Sequence, residues 1–254
     1  MLTLRSLLLL PLFVSVVHAQ KAPAKSDIAK LDPAMGVNKA AAAELDWHDV
    51  TAWGVEGRIL PDQERKRWFD RLPASAEGKV TPAVWSLSRD SAGMMVRFKT
   101  DATSIHVHYK LMKDKLGMPH MPATGVSGVD LYMKNDEGHW FFVGNGRPSG
   151  VANTAMFAVK PNTPCLIYLP LYNGVKSVDI GVPQDKTVSV VKLNKKPVVF
   201  YGTSIDQGAC ASRPGMAFTS IVGRKLDVPI INLGFSGSGQ MEPVMADLIA
   251  ELAP

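Results

Sequence analysis

Ser204 is the residue of this chain best placed to act as a nucleophile. It follows the apolar run 198–201 and a break at Gly202, a pattern that predicts a buried parallel strand ending in a tight turn. In open α/β sheets, ligands bind outside the carboxyl ends of the strands. A serine hydroxyl is a weak nucleophile without an adjacent base, and acyl transfer also needs N–H donors for the oxyanion. The elements around Ser204 must therefore supply a base and such donors.

The elements that would position this serine follow it along the chain. A second apolar strand is predicted over residues 228–233, and it leads into the glycine-rich loop 234–239. Helical spacing of apolar residues predicts two amphipathic helices, with the stripes Phe218, Ile221, Val222 and Leu226, and Val244, Leu248 and Leu252. The order strand, serine loop, helix, strand, glycine loop, helix predicts a parallel α/β domain.

The serine loop and the glycine loop resemble two blocks of the SGNH (GDSL-type) hydrolases, Gly-Thr-Ser-Ile at residues 202–205 and Asn-Leu-Gly-Phe-Ser-Gly at residues 232–237. The resemblance implies that Ser204 is the nucleophile, and that its own N–H and the N–H of Gly237 bind the oxyanion. Thr203 stands where the family usually has aspartate, at a position that is not catalytic. The resemblance further implies hydrolysis of a carboxylic ester on a small molecule or glycan through an acyl-enzyme, without cofactor or metal.

Other blocks of the family do not follow Gly237. The sequence has no Gly-x-Asn-Asp block, which carries the oxyanion asparagine, and no Asp-x-x-His after Ser204, which carries the triad acid and base. No histidine follows His139, and the chain stops at Pro254, where another strand is expected. We therefore expect a truncated chain, lacking the triad histidine and aspartate and the oxyanion asparagine, that has little esterase activity by itself.

The residues before the serine loop predict a β-sandwich. Short segments separated by turn formers favour strands at 53–60, 83–87, 94–99, 104–109, 127–134, 140–143, 165–169, 175–180 and 187–191. Gly-Val-Asp-Leu-Tyr at residues 128–132 resembles the signature of a β-domain that precedes one branch of the SGNH hydrolases. The resemblance implies a jelly-roll-like sandwich, which we place at 46–194. The first half of a flavodoxin-like SGNH domain then spans 195–254.

Two other groups in the sandwich could carry chemistry. Asp136 and His139 match the Asp-x-x-His spelling of the family, but they precede the serine and lie in a predicted hairpin turn, so a structural role is favoured. His106 and His108 share one face of an alternating strand, but two histidines without a third ligand are a weak metal site. An exposed strand face is the favoured interpretation for them, and no metal is expected.

The two cysteines, Cys165 and Cys210, leave several interpretations open. They could form a disulfide in an oxidising compartment, although the sequence does not show that they approach each other. Cys210 lies in the serine loop and is also a candidate nucleophile. Packing as a small buried residue is the favoured interpretation, since free cysteines are usually buried.

The N-terminus and composition predict an exported protein. Arg5, the apolar stretch 7–17 and a small-residue site ending at Ala19 predict a signal peptide over 1–19, followed by a disordered leader over 20–45. No later segment is apolar enough to predict a membrane span, so a periplasmic or extracellular location is expected. The net charge of +5 comes without an arginine-rich run, so no nucleic acid is expected as a partner. The alternative function is a glycan-binding β-sandwich attached to a non-catalytic hydrolase remnant.

Overall fold

The computed structural model of the protein describes residues 44–252, so the predicted signal peptide and almost all of the predicted leader lie outside the described residues. The described part is mostly β-sheet with few helices. Its strands are β1 Leu45–Asp49, β2 Met95–Thr100, β3 Ser104–Leu111, β4 Val129–Lys134, β5 Trp140–Gly146, β6 Ala152–Ala158, β7 Cys165–Tyr168, β8 Val175–Pro183, β9 Val188–Val190, β10 Val198–Gly202 and β11 Ile230–Gly234. Its α-helices are α1 Pro82–Leu87, α2 Ala123–Val126, α3 Ser204–Gln207, α4 Phe218–Leu226 and α5 Pro243–Ala250.

Two antiparallel sheets form the larger part of the fold. The first sheet has the strand order β1-β8-β3-β6, and the second has the order β5-β4-β7-β2-β9. Strands β2, β4 and β7 of the second sheet are buried on both faces. Alternate residues of β3 in the first sheet are buried, and its Ile105, Val107 and Tyr109 point inward. They pack with Val96, Phe98, Leu131 and Ile167 of the other sheet in one apolar core. The two sheets therefore cover each other face to face.

A parallel pair of strands carries the serine loop and the glycine loop. β10 pairs with β11 in a register that places Val198 beside Ile230 and Gly202 beside Gly234. Because both strands end at a glycine at the same level, the two loops leave the sheet at the same edge. One face of the pair packs on the outside of the second sheet, where Phe200 and Ile230 lie among Met95, Tyr132, Leu166 and Tyr168.

The other face of the parallel pair is covered by residues from the segment before β2 and from helix α5. Ile231 and Leu233 of β11 share an apolar cluster with Met245 and Leu248 of α5 and with residues from the segment before β2, namely Ile59, Leu72, Ala76, Val80 and Val84. That segment was predicted to lie within the β-sandwich. Its apolar side chains instead complete the core around the parallel strands.

Several predicted elements differ from the observed ones. Residues 83–87 were predicted as a strand but lie in α1, which begins after Thr81, whose hydroxyl accepts a hydrogen bond from the N–H of Val84. Residues 53–60 are a loop with a single bridge between Glu56 and Met95. β1 and β6 were not predicted, because their sequences are too polar or too small to show apolar alternation. Both strands are formed by pairing, with β8 and with β3.

Helix α4 forms where it was predicted, but it buries a different face. Its buried residues are Thr219, Ser220 and Gly223, whereas Phe218 and Leu226 of the predicted stripe are exposed. A side chain at Gly223 would place a Cβ 2.8 Å from Ile230, so the small residues let the helix approach β11 closely. None of the helices within residues 44–252 is both long enough and apolar enough to cross a membrane.

Candidate active site

Ser204 is the first residue of α3 and is half-buried. It follows β10 after Gly202 and Thr203, where a side chain on Gly202 would collide with the carboxylate of Asp206. The N–H of Ser204 lies in the first turn of the helix, where backbone donors have no intrahelical acceptor. Within residues 44–252, neither this N–H nor the Oγ of Ser204 has a hydrogen-bond partner. The carbonyl of Ser204 accepts a hydrogen bond from the Tyr172 hydroxyl at 3.3 Å.

The glycine loop lies directly against the serine loop. The N–H of Phe235 donates to the carbonyl of Gly202 at 2.9 Å, and a side chain on Gly239 would collide with that same carbonyl. Gly237 has a φ of +71°, which favours glycine, and it is exposed. Among the described residues its N–H has no acceptor. The loops of Ser204 and Gly237 thus emerge together, each with a backbone donor that is available to a ligand.

Gln207 connects the two loops, and it was not anticipated from the sequence. Its side-chain oxygen accepts a hydrogen bond from the N–H of Ser236 at 2.9 Å. Its Nε2 donates to the carbonyl of Leu171 at 3.2 Å and to Asp90 at 3.3 Å. Burial raises the pKa of Asp90, and its ion pair with Lys113 at 2.5 Å opposes that rise. The position of Gln207, one helical turn after Ser204, was the only signal for this role.

The buried guanidinium of Arg71 holds the strand that precedes the glycine loop. It donates to the carbonyls of Asn232 and Gly234 at 2.9 Å each and to that of Leu87 at 2.7 Å. Burial lowers the pKa of Arg71 to about 10. Asn232 is also buried, and its side chain donates to the carbonyl of Asp206 and accepts from the N–H of Gly234 at 2.9 Å. The first residue of the 232–237 block therefore joins the two loops.

The Gly-Val-Asp-Leu-Tyr signature holds the segment between α3 and α4. Asp130 is fully buried and accepts hydrogen bonds from the N–H of Gly215 at 2.8 Å and from Asn145 at 2.7 Å. Arg213 lies 3.4 Å from its carboxylate. Burial raises the pKa of Asp130 to about 6, and these hydrogen bonds and the arginines limit the rise. Gly215 packs so closely on Tyr132 that a side chain there would collide with the ring.

The two cysteines are both free, so they do not form a disulfide. Cys165 is buried in the core of the sheets, and burial raises its pKa to about 12. Cys210 is exposed and has a φ of +60°, so the favoured interpretation of a packed residue was wrong for it. Loop geometry, and not burial, sets the position of this side chain.

The remaining candidate residues lie in the sandwich. Asp136 and His139 flank the exposed turn between β4 and β5, where Asp136 pairs with Lys160 at 2.6 Å and His139 lies beside Glu137. His106 and His108 share the outer face of the first sheet, as expected, but they pack against Trp47. Across residues 44–252, no cluster of three potential ligands could hold a metal ion.

Comparisons with known proteins agree with these motifs. Residues 45–188 match the family model for GxDLY, the N-terminus of SGNH-hydrolase-type esterases, and residues 195–253 match the GDSL-like lipase/acylhydrolase family. No curated protein matches the chain.

Two solved structures resemble the protein over most of its length. One is a protein from Bacteroides ovatus ATCC 8483 described as a GDSL-like lipase, with 33% identity over 83% of this chain and a TM-score of 0.75. The other is the salicylyl-acyltransferase SsfX3 from a tetracycline biosynthetic pathway, with 18% identity over 82% of this chain and a TM-score of 0.66. This chain spans 62% and 59% of their lengths. It belongs to the SGNH (GDSL-type) hydrolase family, in the branch whose hydrolase domain follows a GxDLY domain.

Proposed function

We propose that the protein hydrolyses carboxylic esters, with Ser204 as the nucleophile. The observation that carries this proposal is the pairing of the serine loop and the glycine loop at the carboxyl edge of β10 and β11. In that arrangement the N–H groups of Ser204 and Gly237 would donate to the oxyanion of the tetrahedral intermediate. Each such donor typically contributes about 3 kcal/mol to transition-state stabilisation.

The reaction proceeds in two steps. Oγ of Ser204 attacks the carbonyl carbon while a base takes its proton. The bond to the alcohol oxygen then breaks as that oxygen receives the proton. Water attacks the acyl-enzyme in the second step, which releases the carboxylic acid and restores the serine. Since no histidine follows His139 and Ser204 Oγ has no partner within residues 44–252, we expect these 254 residues to be a poor esterase by themselves.

We propose an acyl ester of a carbohydrate as the substrate, with acetyl as the first acyl group to be tested. The support for this substrate class is the resemblance of the serine loop and the glycine loop to the SGNH hydrolases. A pocket of about 240 Å³ adjoins the serine loop and is lined by Ile205, Gly208, Cys210, Met216 and Phe218. Ser204 and Gly237 are not among its lining residues, so its volume does not select the length of the acyl group.

The test uses a chromogenic acetate ester with the 254-residue chain, alone and within any longer protein that its gene encodes. In an active protein, Ser204→Ala is expected to lower turnover by roughly a thousandfold or more, because the nucleophile is lost. Cys210→Ser is the matched control in the same loop and is expected to keep most of the activity. Loss of activity in Cys210→Ser, with Ser204→Ala still active, would overturn the assignment of the nucleophile. Robust Ser204-dependent turnover by the 254-residue chain would show that it already contains a base, with His120 and His139 tested first.

We also propose that the protein is exported to the periplasm or the extracellular space. The support is the pattern of Arg5, the apolar stretch 7–17 and the site ending at Ala19. N-terminal sequencing of the mature protein is expected to begin at Gln20. A protein recovered outside the cytoplasm that still begins at Met1 would contradict this proposal.

A second candidate function is glycan binding by the antiparallel sheets without catalysis. The observation that favours it is the exposed face of Trp47 on the first sheet. Binding that survives Ser204→Ala, in a protein without esterase activity, would distinguish this function from the first.

A further inference from the structure

The outer face of the first sheet presents two rows of polar and aromatic side chains. The register places Trp47, Gly181, His106 and Met156 in one row across the four strands. The next outward row contains Asp49, Asp179, His108 and Thr154. The residues between these rows, such as Val107 and Ile180, point into the core. All members of the two rows therefore share the face that is turned away from the core.

Trp47 lies flat on this face. A Cβ placed on Gly181 would be 2.9 to 3.1 Å from three neighbouring atoms of the six-membered ring, which is the spacing of an atom above a ring plane. The rings of His106 and His108 stand nearly perpendicular to the indole, with interplanar angles of 73° and 77°. Trp47 is 46% exposed, and because one face of its ring covers Gly181, the opposite face is open to solvent.

Polar groups beside the indole have hydrogen-bonding capacity that the protein does not use. His108 Nδ1 is bonded to the Thr154 hydroxyl at 3.0 Å, and its other ring nitrogen has no partner within residues 44–252. In the same part of the chain, the ring nitrogens of His106 and the carboxylate of Asp179 make no hydrogen bond or ion pair. Asp49 uses one carboxylate oxygen to accept from the N–H of Thr51. Acceptors and donors therefore surround one side of a flat apolar platform.

We propose that this face, centred on Trp47, binds a neutral pyranose of an oligosaccharide. The C–H groups on one face of a pyranose ring pack on an indole face, whose quadrupole is negative. The hydroxyl groups around the edge of the sugar would then reach His106, His108 and Asp179. A quaternary ammonium ligand fits less well, since it is held by several aromatic walls and only one ring presents its face here.

The charge of the face selects among saccharides. Asp49 and Asp179 lie side by side on paired strands, and burial, together with the nearby carboxylate of Asp49, raises the pKa of Asp179. The basic side chains in the two rows are His106 and His108, and burial lowers the pKa of His106. An acidic sugar such as a uronate would therefore meet like charge, whereas a neutral sugar would donate hydrogen bonds from its hydroxyl groups to the carboxylates. This site is separate from Ser204 and does not rest on the proposed esterase activity, but it specifies the glycan binding given above as the second candidate function.

The test is affinity electrophoresis of the purified protein in gels that contain xylan, glucomannan or polygalacturonate. The wild-type protein is expected to be retarded by at least one of the two neutral polysaccharides and not by polygalacturonate. Trp47→Ala is expected to weaken the binding by at least about tenfold, because the stacking platform is lost. Trp47→Phe should retain part of the binding and guards against misfolding of the alanine variant. Phe141→Ala is the matched control, since Phe141 is 45% exposed and lies on the second sheet.

Three outcomes would overturn the proposal. The first is the absence of retardation by both neutral polysaccharides, and the second is equal retardation of wild type and a folded Trp47→Ala protein. The third is a change in solution mass caused by Trp47→Ala without any saccharide, which would show that this face binds a second copy of the chain. Asp179→Asn sharpens the result, since it is expected to weaken neutral-sugar binding and to reduce the exclusion of polygalacturonate.

Discussion

The antiparallel sheets and the loops around Ser204 are stabilised in different ways. The sheets share an apolar core made mainly from the inward-facing residues of their own strands. The loops around Ser204 are instead held by buried polar groups from earlier in the chain, namely Arg71, Asp90 and Asp130. Polar contacts of this kind fix direction as well as distance, because a hydrogen bond weakens steeply when it is misaligned. Residues of the GxDLY domain therefore position the serine loop and the glycine loop through buried hydrogen bonds.

Among the substitutions that test this comparison, replacement of Arg71 is expected to lower the free energy of unfolding the most. Arg71→Met removes the donors to three buried carbonyls and is expected to lower the free energy of unfolding by about 3 kcal/mol or more. Urea unfolding followed by fluorescence measures this change. Arg147→Met is the matched control, since Arg147 is exposed and is expected to have almost no effect. Equal stability of the two variants would show that polar support contributes little.

The contribution of Asp130 to the free energy of unfolding is expected to depend on pH. Its pKa in the fold is about 6, above the usual aspartate value, so the unfolded chain loses this proton first as the pH rises. The contribution of Asp130 to stability is thus fully present below about pH 4 and is lost as the pH rises through about 6, by up to about 3 kcal/mol.

Asp130→Asn is expected to remove this part of the pH dependence. Thermal unfolding of wild type and Asp130→Asn between pH 4 and pH 7 gives the melting temperature at each pH. The change is measured as the difference between the two proteins in the slope of melting temperature against pH. Asp136→Asn is the control, because Asp136 is an exposed aspartate in the turn between β4 and β5. An unchanged slope in Asp130→Asn would contradict the assigned pKa.

The smallest change in the free energy of unfolding is expected for a substitution in the apolar stripe of α4. Leu226 is 57% exposed, so Leu226→Ala is expected to lower the free energy of unfolding by less than about 0.5 kcal/mol. Leu248 of α5 is 5% exposed, and the same substitution there is expected to cost about 2 to 5 kcal/mol. The two variants can be compared in one series of urea titrations. A large cost at Leu226 would mean that the stripe is covered in solution.

Much of the fold and of the family assignment follows from local sequence. The blocks around Ser204 and Gly237, together with the signature at 128–132, identified the SGNH branch, and the comparisons confirm it. Strands with clear apolar alternation, such as β3, formed where they were predicted. The roles of Ser204 and Gly237, the export and the substrate stay predictions.

The tertiary structure alone decided which residues hold the site. Arg71 and Asn232 are 161 residues apart in sequence, and Asp130 and Gly215 are 85 apart. Periodicity reports which side of an element is apolar, but it contains no information on which distant polar groups meet. For the same reason, α1 was mistaken for a strand and the buried face of α4 was misplaced. A short apolar segment is compatible with the period of a helix and with that of a strand. Which of the two it forms depends on the surface against which it packs in the folded chain.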